Sequence, residues 1–189
     1  MNEEQRIEFE QMVGHRISLA EELNQYWEAY SGFNSWGFWA SVLMLVIPLL
    51  VLFFLIDRKR IFEIGFFGFS MHTIAVFLDS LGVKDGLWGY PFLISPVAPS
   101  NVTLDTSLIP VVFMLIYQYT YHRPILFYLV SIGTTLVFSF ILKPFLEAID
   151  LFWLSPDFSN VKLLYYYLIA FAFSVIVVKV FHKMSKSVD

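Results

Sequence analysis

Residues 36–55 read WGFWASVLMLVIPLLVLFFL and hold no charged side chain. The charge-free stretch extends from Ala29 to Ile56, with Trp36 and Trp39 near its start, where the aromatic belt of a membrane protein lies. A helix of about 20 residues crosses the hydrocarbon core of a bilayer. This stretch therefore predicts a first transmembrane helix, which Pro48 is expected to kink.

The composition of the whole chain is also that of a membrane protein. Of its 189 residues, 58% are hydrophobic and 19% are aromatic, whereas soluble domains are roughly 45–50% apolar. The chain has no cysteine, which excludes disulfides and Cys-ligated zinc or iron–sulfur sites. A net charge of −4 argues against a nucleic-acid partner. The polar, acidic start lacks the pattern of a secretory signal peptide, so we expect the first hydrophobic segment to be retained.

Four further segments are long and apolar enough to predict transmembrane helices. In chain order they are Ile61 to Leu81, Asp105 to Tyr121, Pro124 to Leu142 and Val161 to Phe181. Between the second and third spans, Gly82 to Thr103 is apolar but rich in glycine and proline, which excludes a regular spanning helix. A loop or a shallow re-entrant segment is expected there. Lys143 to Asn160 predicts a helix end followed by an interfacial loop.

The residues before the first span predict an acidic amphipathic helix. Apolar residues recur at steps of three and four from Phe9 to Tyr30, opposite the glutamates. Such a helix is expected to lie on the membrane interface or on the bundle, or to dock a partner. The predicted fold is an all-α membrane protein. It comprises this N-terminal segment (1–33), a bundle of about five transmembrane helices (34–183) with one Gly/Pro-rich irregular segment, and a short polar tail (184–189).

The distribution of basic residues predicts the orientation of the bundle. One side carries Arg58, Lys59, Arg60, Arg123, Lys179, Lys183 and Lys186, and the other carries Arg6, Arg16, Lys84, Lys143 and Lys162. Short loops rich in lysine and arginine stay on the cytoplasmic side. We therefore expect a multi-pass protein of the cell membrane with its N-terminus outside and its C-terminus inside.

Ionisable residues within the spans mark candidate sites, because each costs about 2.5–3.5 kcal/mol at the centre of a spanning helix. His72 lies near the middle of the second span and shares a face with Gly68 and Asp79. Two roles are open for His72: a hydrogen bond that fixes helix packing, or contact with a proton or a ligand. Glu63 lies in the first turn of its helix beside a basic turn, which favours a structural role.

Asp79 and Asp105 flank the Gly/Pro-rich segment at similar predicted depth, so they could line one pocket. For Asp105, two roles are open: an N-cap, since Asp-Thr-Ser precedes an apolar run, or a contact to a ligand or ion. The candidate ligand or ion contacts are Asp79, Asp105, His72, Tyr90, Tyr117 and Gln118.

The fourth span carries hydroxyl side chains four residues apart, Ser131, Thr135 and Ser139, that lead to Lys143. Hydroxyls at this spacing usually hydrogen-bond their own helix or its neighbour, so a packing role is expected. Lys143 and Glu147 are spaced as an i, i+4 ion pair at the interface.

The order of several motifs resembles that of a known family. Gly86-Leu-Trp-Gly-Tyr-Pro91, Ser107-Leu-Ile-Pro-Val111 and Tyr117-Gln-Tyr119 follow one another, as in an uncharacterised family of small multi-pass membrane proteins of endospore-forming Firmicutes. The likeness covers about Trp36 to Lys183, and where that family tends to have an acidic residue this chain has Lys143. The resemblance implies a bacterial cell-membrane location and no reaction. It directs attention to Asp79, Tyr90, Pro91, Asp105, Pro110, Tyr117 and Gln118.

Three classes of function are compatible with these residues. The first is a non-enzymatic binding or accessory protein whose outward-facing polar site takes a lipid, a small molecule or a protein. The second is a small proton-coupled transporter or channel that acts as an oligomer. The third is a lipid-modifying membrane enzyme with Asp79, Asp105 or His72 as acid or base. The third is the least expected, because the chain lacks HExxH, GxSxG, P-loop and GxGxxG motifs.

A metal site is not predicted, because no two of the four histidines have the spacing of metal ligands. The sequence indicates neither a cofactor nor an oligomeric state.

Overall fold

A computed structural model describes residues 1–96 and 103–185, and in these residues the chain is almost entirely helical. The helices are α1 (Glu3–Tyr26), α2 (Trp36–Leu55), α3 (Ile61–Lys84), α4 (Ile109–Thr120), α5 (Pro124–Val137), α6 (Lys143–Ala148) and α7 (Asn160–Ser185). Short π-helical turns, Trp27–Ser31, Leu104–Leu108 and Phe138–Leu142, follow α1, precede α4 and join α5 to α6. Two short strands, β1 (Trp88–Gly89) and β2 (Trp153–Leu154), pair antiparallel. The all-α prediction is confirmed.

Four helices are long and apolar enough to cross a membrane: Trp36–Leu55, Arg58–Lys84, Pro124–Ala148 and Asn160–Ser185. Their outer surfaces are strongly apolar. On α2, Leu43 is 55% exposed and Phe54 is 77% exposed. Exposed apolar surface of this extent needs lipid as its solvent. The chain is therefore a membrane-embedded helical protein.

The third predicted span forms a short helix that is largely buried in the bundle. It consists of a 5-residue π turn, Leu104–Leu108, followed by the 12 residues of α4. At about 1.5 Å per residue this helix is about 25 Å long, slightly less than a bilayer core of about 30 Å. It packs against α2, α3 and α5, and Phe113 at its centre is fully buried. The count of about five spans stays a prediction.

Small residues allow close packing between α3 and α4. A Cβ atom at Gly68 would collide with the Met114 side chain, so glycine lets the two helices approach. Further along this interface, the rings of Phe67 and Tyr117 stack with centroids 4.7 Å apart. Gly65, on the same helix, faces open space, and a Cβ atom there would meet nothing within 4 Å. Gly68, on the face of α3 that also carries His72 and Asp79, thus permits this close approach.

The N-terminal helix α1 has no buried residue, so the described helices do not cover its apolar side. The predicted interfacial and partner-docking roles stay predictions. The residues that follow α1 are fixed to the Gly/Pro-rich segment by two hydrogen bonds. Trp27 Nε1 donates to the Leu93 carbonyl at 2.8 Å, and Ser31 Oγ donates to the Pro91 carbonyl at 2.9 Å.

The Gly/Pro-rich segment is irregular in its described part, as predicted. After α3 ends at Lys84, Gly86 turns the chain with a φ of +67°, a conformation that favours glycine. Strand β1 then pairs with β2, and the Ser155 backbone N–H donates to the Leu87 carbonyl at 3.0 Å. These bonds connect the segment to the loop before α7. Residues 97–102 lie outside the described residues.

Candidate functional site

Two of the predicted acidic residues, Asp79 and Asp105, meet near one end of the bundle. Asp79 projects from the last third of α3 and is 6% exposed, and Asp105 projects from the π turn before α4 and is 4% exposed. Their carboxyl groups contact each other. We call this end of the bundle, where α3 ends and α7 begins, the Asp79 end.

A cation that was predicted elsewhere completes the cluster. Lys143, the first residue of α6, is 3% exposed and interacts electrostatically with both Asp79 and Asp105. Its Nζ donates to the Tyr90 hydroxyl at 3.1 Å and lies 3.9 Å from the ring centroid of Phe152. Such a position over an aromatic face stabilises a cation.

The predicted ion pair between Lys143 and Glu147 is wrong. Glu147 is exposed, whereas Lys143 points into the bundle. The π turn Phe138–Leu142 directly precedes Lys143 and changes the direction of side chains relative to a regular α-helix. The four-residue spacing to Glu147 therefore did not predict where the lysine points, whereas the four-residue spacing from buried Ser139 agrees with its direction.

Two aromatic side chains from the irregular segment donate hydrogen bonds to Asp79. The Tyr90 hydroxyl donates to Asp79 Oδ1 at 2.5 Å, and Trp88 Nε1 donates to the same oxygen at 2.8 Å. Burial, with the nearby charges of Asp79 and Asp105, raises the pKa of the Tyr90 phenol well above its ordinary value, so Tyr90 stays a donor. The Trp88 ring lies against Gly82, where any Cβ atom would collide with it.

Asp79, Asp105 and Lys143 line a small cavity of about 40 Å³, together with Tyr166 and Tyr167 of α7. A cavity of this size holds one or a few water molecules or a small ion and no organic ligand. Among the described residues, no hydrogen-bond donor reaches Oδ2 of Asp105. The cavity thus has a mostly apolar lining, with Asp79, Asp105 and Lys143 as its charged groups.

His72 and the backbone of Asp105 join α3 to the start of the α4 helix. His72 Nδ1 lies 2.9 Å from the Asp105 carbonyl oxygen, and His72 does not line the cavity. This contact is the one expected from a packing role. The predicted N-cap role of Asp105 is wrong, because the backbone of Thr103 and Leu104 is already helical and the helix begins before Asp105.

Tyr117 and Gln118, the remaining predicted contacts, lie at the opposite end of the bundle. The Tyr117 hydroxyl donates to Glu63 Oε1 at 2.6 Å. Gln118 Oε1 accepts from the Asp57 backbone N–H at 2.8 Å, and its Nε2 donates to the Leu55 carbonyl at 2.9 Å. Gln118 thus fixes the turn between α2 and α3. The structure divides the predicted residues between two places.

The hydroxyl side chains of the fourth span are fully buried on one face of α5 and the π turn. Thr135 Oγ1 donates to the Ile132 carbonyl at 2.7 Å. Among the described residues, no hydrogen-bond partner reaches Ser131 Oγ or Ser139 Oγ. The predicted hydrogen bonding therefore holds for Thr135 and is not observed for the two serines.

The described residues contain no group of three or more His, Asp or Glu side chains that could hold a metal ion. Comparison of the chain with protein-family models, with curated proteins and with solved structures finds no match. The resemblance to a family of multi-pass bacterial membrane proteins stays a prediction.

Proposed function

We propose that the chain is a non-enzymatic, five-span protein of the bacterial cell membrane whose cluster of Asp79, Asp105, Lys143 and Tyr90 takes up and releases one proton. In this proposal the helix of α4 is the third crossing, and the Asp79 end faces outward. Of the ligands considered for a polar outer site, the proposal selects the smallest, a proton. A cavity of only about 40 Å³ has no room for a larger organic ligand.

The observation that carries the proposal is the charge of the buried cluster. Two carboxyl groups, Asp79 and Asp105, share one ammonium group, Lys143, and all three side chains are at most 6% exposed. An uncompensated buried charge costs several kcal/mol. One additional positive charge balances the cluster, and two carboxyl groups in contact can share a proton. Because Lys143 already occupies the cationic position, a proton fits better than a metal ion.

The surrounding groups allow a proton to be exchanged. Tyr90 accepts from Lys143 and donates to Asp79, so its hydroxyl links the cation to the carboxyl pair. Tyr167 faces both carboxyl groups from α7, and His72 holds the Asp105 backbone from α3. A water molecule in the cavity would reach Asp105 Oδ2, the oxygen without a hydrogen-bond donor in the described part of the chain.

The burial of Lys143 also supports the proposed orientation. Only basic residues in loops and near helix ends determine orientation. Lys143 lies inside the bundle, so it is left out of the count of basic residues at the Asp79 end. That end then keeps Arg6, Arg16, Lys84 and Lys162. Among the described residues, the opposite end keeps Arg58, Lys59, Arg60, Arg123, Lys179 and Lys183. Because the opposite end has more basic residues than the Asp79 end, the opposite end is expected on the cytoplasmic side.

Infrared difference spectroscopy on the reconstituted protein tests the proposal. A pH titration of the wild type should remove one carboxyl C=O band, and Asp105→Asn should abolish that change. The control, Asp150→Asn, should keep it, because Asp150 is exposed and its φ of 58° suits asparagine. Three results would refute proton exchange: no band at any pH, a band that persists at every pH, or a band that sodium removes at constant pH.

A proton-coupled transporter is the second candidate, favoured by the buried hydroxyls on α5. Ser131 and Ser139 lack partners among the described residues and continue at four-residue steps from Lys143 toward the opposite end. Proteoliposomes with an internal pH dye should then show acid-driven flux that Ser139→Ala lowers. Thr73→Ala, an exposed hydroxyl on α3, should leave the flux unchanged. Absence of flux in wild-type vesicles would eliminate this candidate and leave proton binding alone.

The enzyme alternative gains no support from the site. Asp79 and Asp105 line a cavity of about 40 Å³, which has no room for a lipid substrate, and His72 is not part of it.

A further inference from the structure

We infer that a second cavity, at the opposite end of the bundle, binds an anionic phospholipid. This end is where α4 ends, α5 begins and α7 ends, and we call it the Lys179 end. The cavity there has a volume of about 520 Å³ and is lined by residues of α3, α4, α5 and α7. It is thus within the size range of ligand sites, about 300–1,000 Å³.

The polarity of this cavity changes along its depth. Its inner wall is apolar and consists of Phe67, Phe127 and Val175. Its rim is basic and comes from the last turns of α7. Lys179, His182 and Lys183 are exposed there. Val175, Lys179 and Lys183 follow at four-residue steps, so they share one face of α7 over about 12 Å.

The charge of the rim selects an anion. Two lysines, Lys179 and Lys183, stand against one acidic residue of the lining, Glu63. Glu63 Oε1 already accepts from the Tyr117 hydroxyl at 2.6 Å. Lys179 Nζ lies 5.5 Å from the ring centroid of Tyr128, another lining residue, so its ammonium is held at the cavity. A net positive rim attracts a phosphate group.

The apolar wall and the basic rim together fit an amphiphile whose headgroup lies at the ends of the helices. A phosphate at the rim would leave the glycerol and the first methylene groups against Phe67 and Phe127. The helix ends that form this rim lie at the level of lipid headgroups if α3, α5 and α7 span the membrane. A phospholipid of the adjacent leaflet satisfies both the depth and the charge. The inference concerns a different end of the bundle from the proton site and does not depend on it.

Binding of short-chain phospholipids to the full chain in detergent tests the inference. Phosphatidylglycerol should bind more tightly than phosphatidylcholine of the same chain length. Lys179→Gln and Lys183→Gln should each weaken phosphatidylglycerol about fivefold, the change that corresponds to about 1 kcal/mol per basic residue at an anionic surface. Both variants should leave phosphatidylcholine unaffected. The control, Lys59→Gln, removes an exposed charge that does not line the cavity, so it should leave both affinities unchanged.

Filling the cavity separates the apolar wall from the charged rim. Val178→Trp, which places a large ring in the cavity, should abolish phospholipid binding while the thermal unfolding midpoint shows that the fold is kept. If that variant unfolds, the lysine variants on the exposed rim still decide the question. Equal binding of the two phospholipids would overturn the inference. It would also be overturned if Lys59→Gln were as damaging as the rim variants, or if inorganic phosphate bound as tightly as phosphatidylglycerol.

Discussion

At the Asp79 end of the bundle, Lys143 is buried with two carboxyl groups and two aromatic hydrogen-bond donors. At the Lys179 end, Lys179 and Lys183 stand on the exposed rim of a cavity more than ten times larger, about 520 Å³ against about 40 Å³. Both ends therefore combine lysine, acid and tyrosine. The two ends differ in whether water can take the place of a hydrogen-bond or ion-pair partner that a side chain has lost.

This difference determines what each end can do. In the buried cluster every charge needs a protein partner or a proton, because desolvation of an unpaired ion costs several kcal/mol. On the exposed rim, solvent screens each charge and an individual pair contributes about 0–1 kcal/mol. The proposed exchange of one proton therefore agrees with the burial of the Asp79 end. The Lys179 end is suited to exchange of a larger ligand.

The largest expected effect is the loss of the buried cation. Lys143→Met keeps an unbranched side chain but leaves Asp79 and Asp105 without their ammonium group. We expect a loss of about 3–5 kcal/mol in the free energy of unfolding. Denaturation of the protein in mixed micelles measures it. The matched control is Lys162→Met, an exposed lysine at the same end, which should change stability by no more than about 0.5 kcal/mol.

A double variant tests whether the stability lost in Lys143→Met comes from the loss of its charge. Adding Asp105→Asn to Lys143→Met removes one of the two uncompensated carboxyl groups. The double variant should therefore be more stable than the sum of the single effects, with a coupling of about 0.5–3 kcal/mol. Additive effects would contradict a shared charge network, and the comparison between the two ends would lose its basis.

Glycine positions on α3 give the next largest contrast, because Gly82 lies at the Asp79 end and Gly65 lies at the Lys179 end. A Cβ at Gly82 collides with the Trp88 ring, which donates to Asp79. Gly82→Ala should therefore cost about 1–3 kcal/mol of unfolding free energy. Gly65 has open space, so Gly65→Ala should stabilise the helix by up to about 1 kcal/mol. Equal effects on the thermal midpoint would show that Trp88 moves aside freely.

Two tyrosine variants compare the ends with one chemical change. Tyr90→Phe removes the hydroxyl between Lys143 and Asp79, and the buried groups left behind should cost about 1–3 kcal/mol of unfolding free energy. Tyr117→Phe removes the hydrogen bond to Glu63, which is only half-buried and can bond water instead. Its expected cost is about 0.5–1.5 kcal/mol. If Tyr117→Phe lost more unfolding free energy than Tyr90→Phe in the same assay, the Asp79 end would not be the end where a lost hydrogen-bond partner costs more.

Local sequence properties were sufficient to predict the helices and the irregular segment. Long hydrophobic runs predicted α2, α3 and α7, because lipid accepts only segments whose backbone polar groups are satisfied internally. The density of glycine and proline after Lys84 predicted a break in helical structure for the same local reason. Asp79 and Asp105 were placed together correctly because both flank that break.

The sequence did not predict the parts of the site that depend on tertiary contacts. Lys143 was interpreted as a partner of Glu147, but the structure buries its ammonium group with Asp79 and Asp105. One available signal was its position four residues beyond Ser139, on the buried face of the same helix. Tyr90 and Tyr117 were both named as candidate contacts, and the structure places them at opposite ends of the bundle. Residue type alone carries no information about depth in the membrane.

The smallest expected effect comes from the turn that Gln118 fixes at the Lys179 end. Hydrogen bonds from Arg60 Nε at 3.0 Å and from the Lys59 backbone hold the pKa of Asp57 below its ordinary value of 3.8. Asp57 therefore stabilises the fold above that value, and the contribution disappears as the pH falls through the lower folded-state pKa. The difference in thermal midpoint between wild type and Asp57→Asn should accordingly shrink on acidification. High salt should also reduce it, because the pair is partly exposed. If the difference in thermal midpoint instead grew as the pH fell, the charge of Asp57 would not be what stabilises the turn. The proposed contrast between a solvent-screened end and a buried end would then fail at this turn.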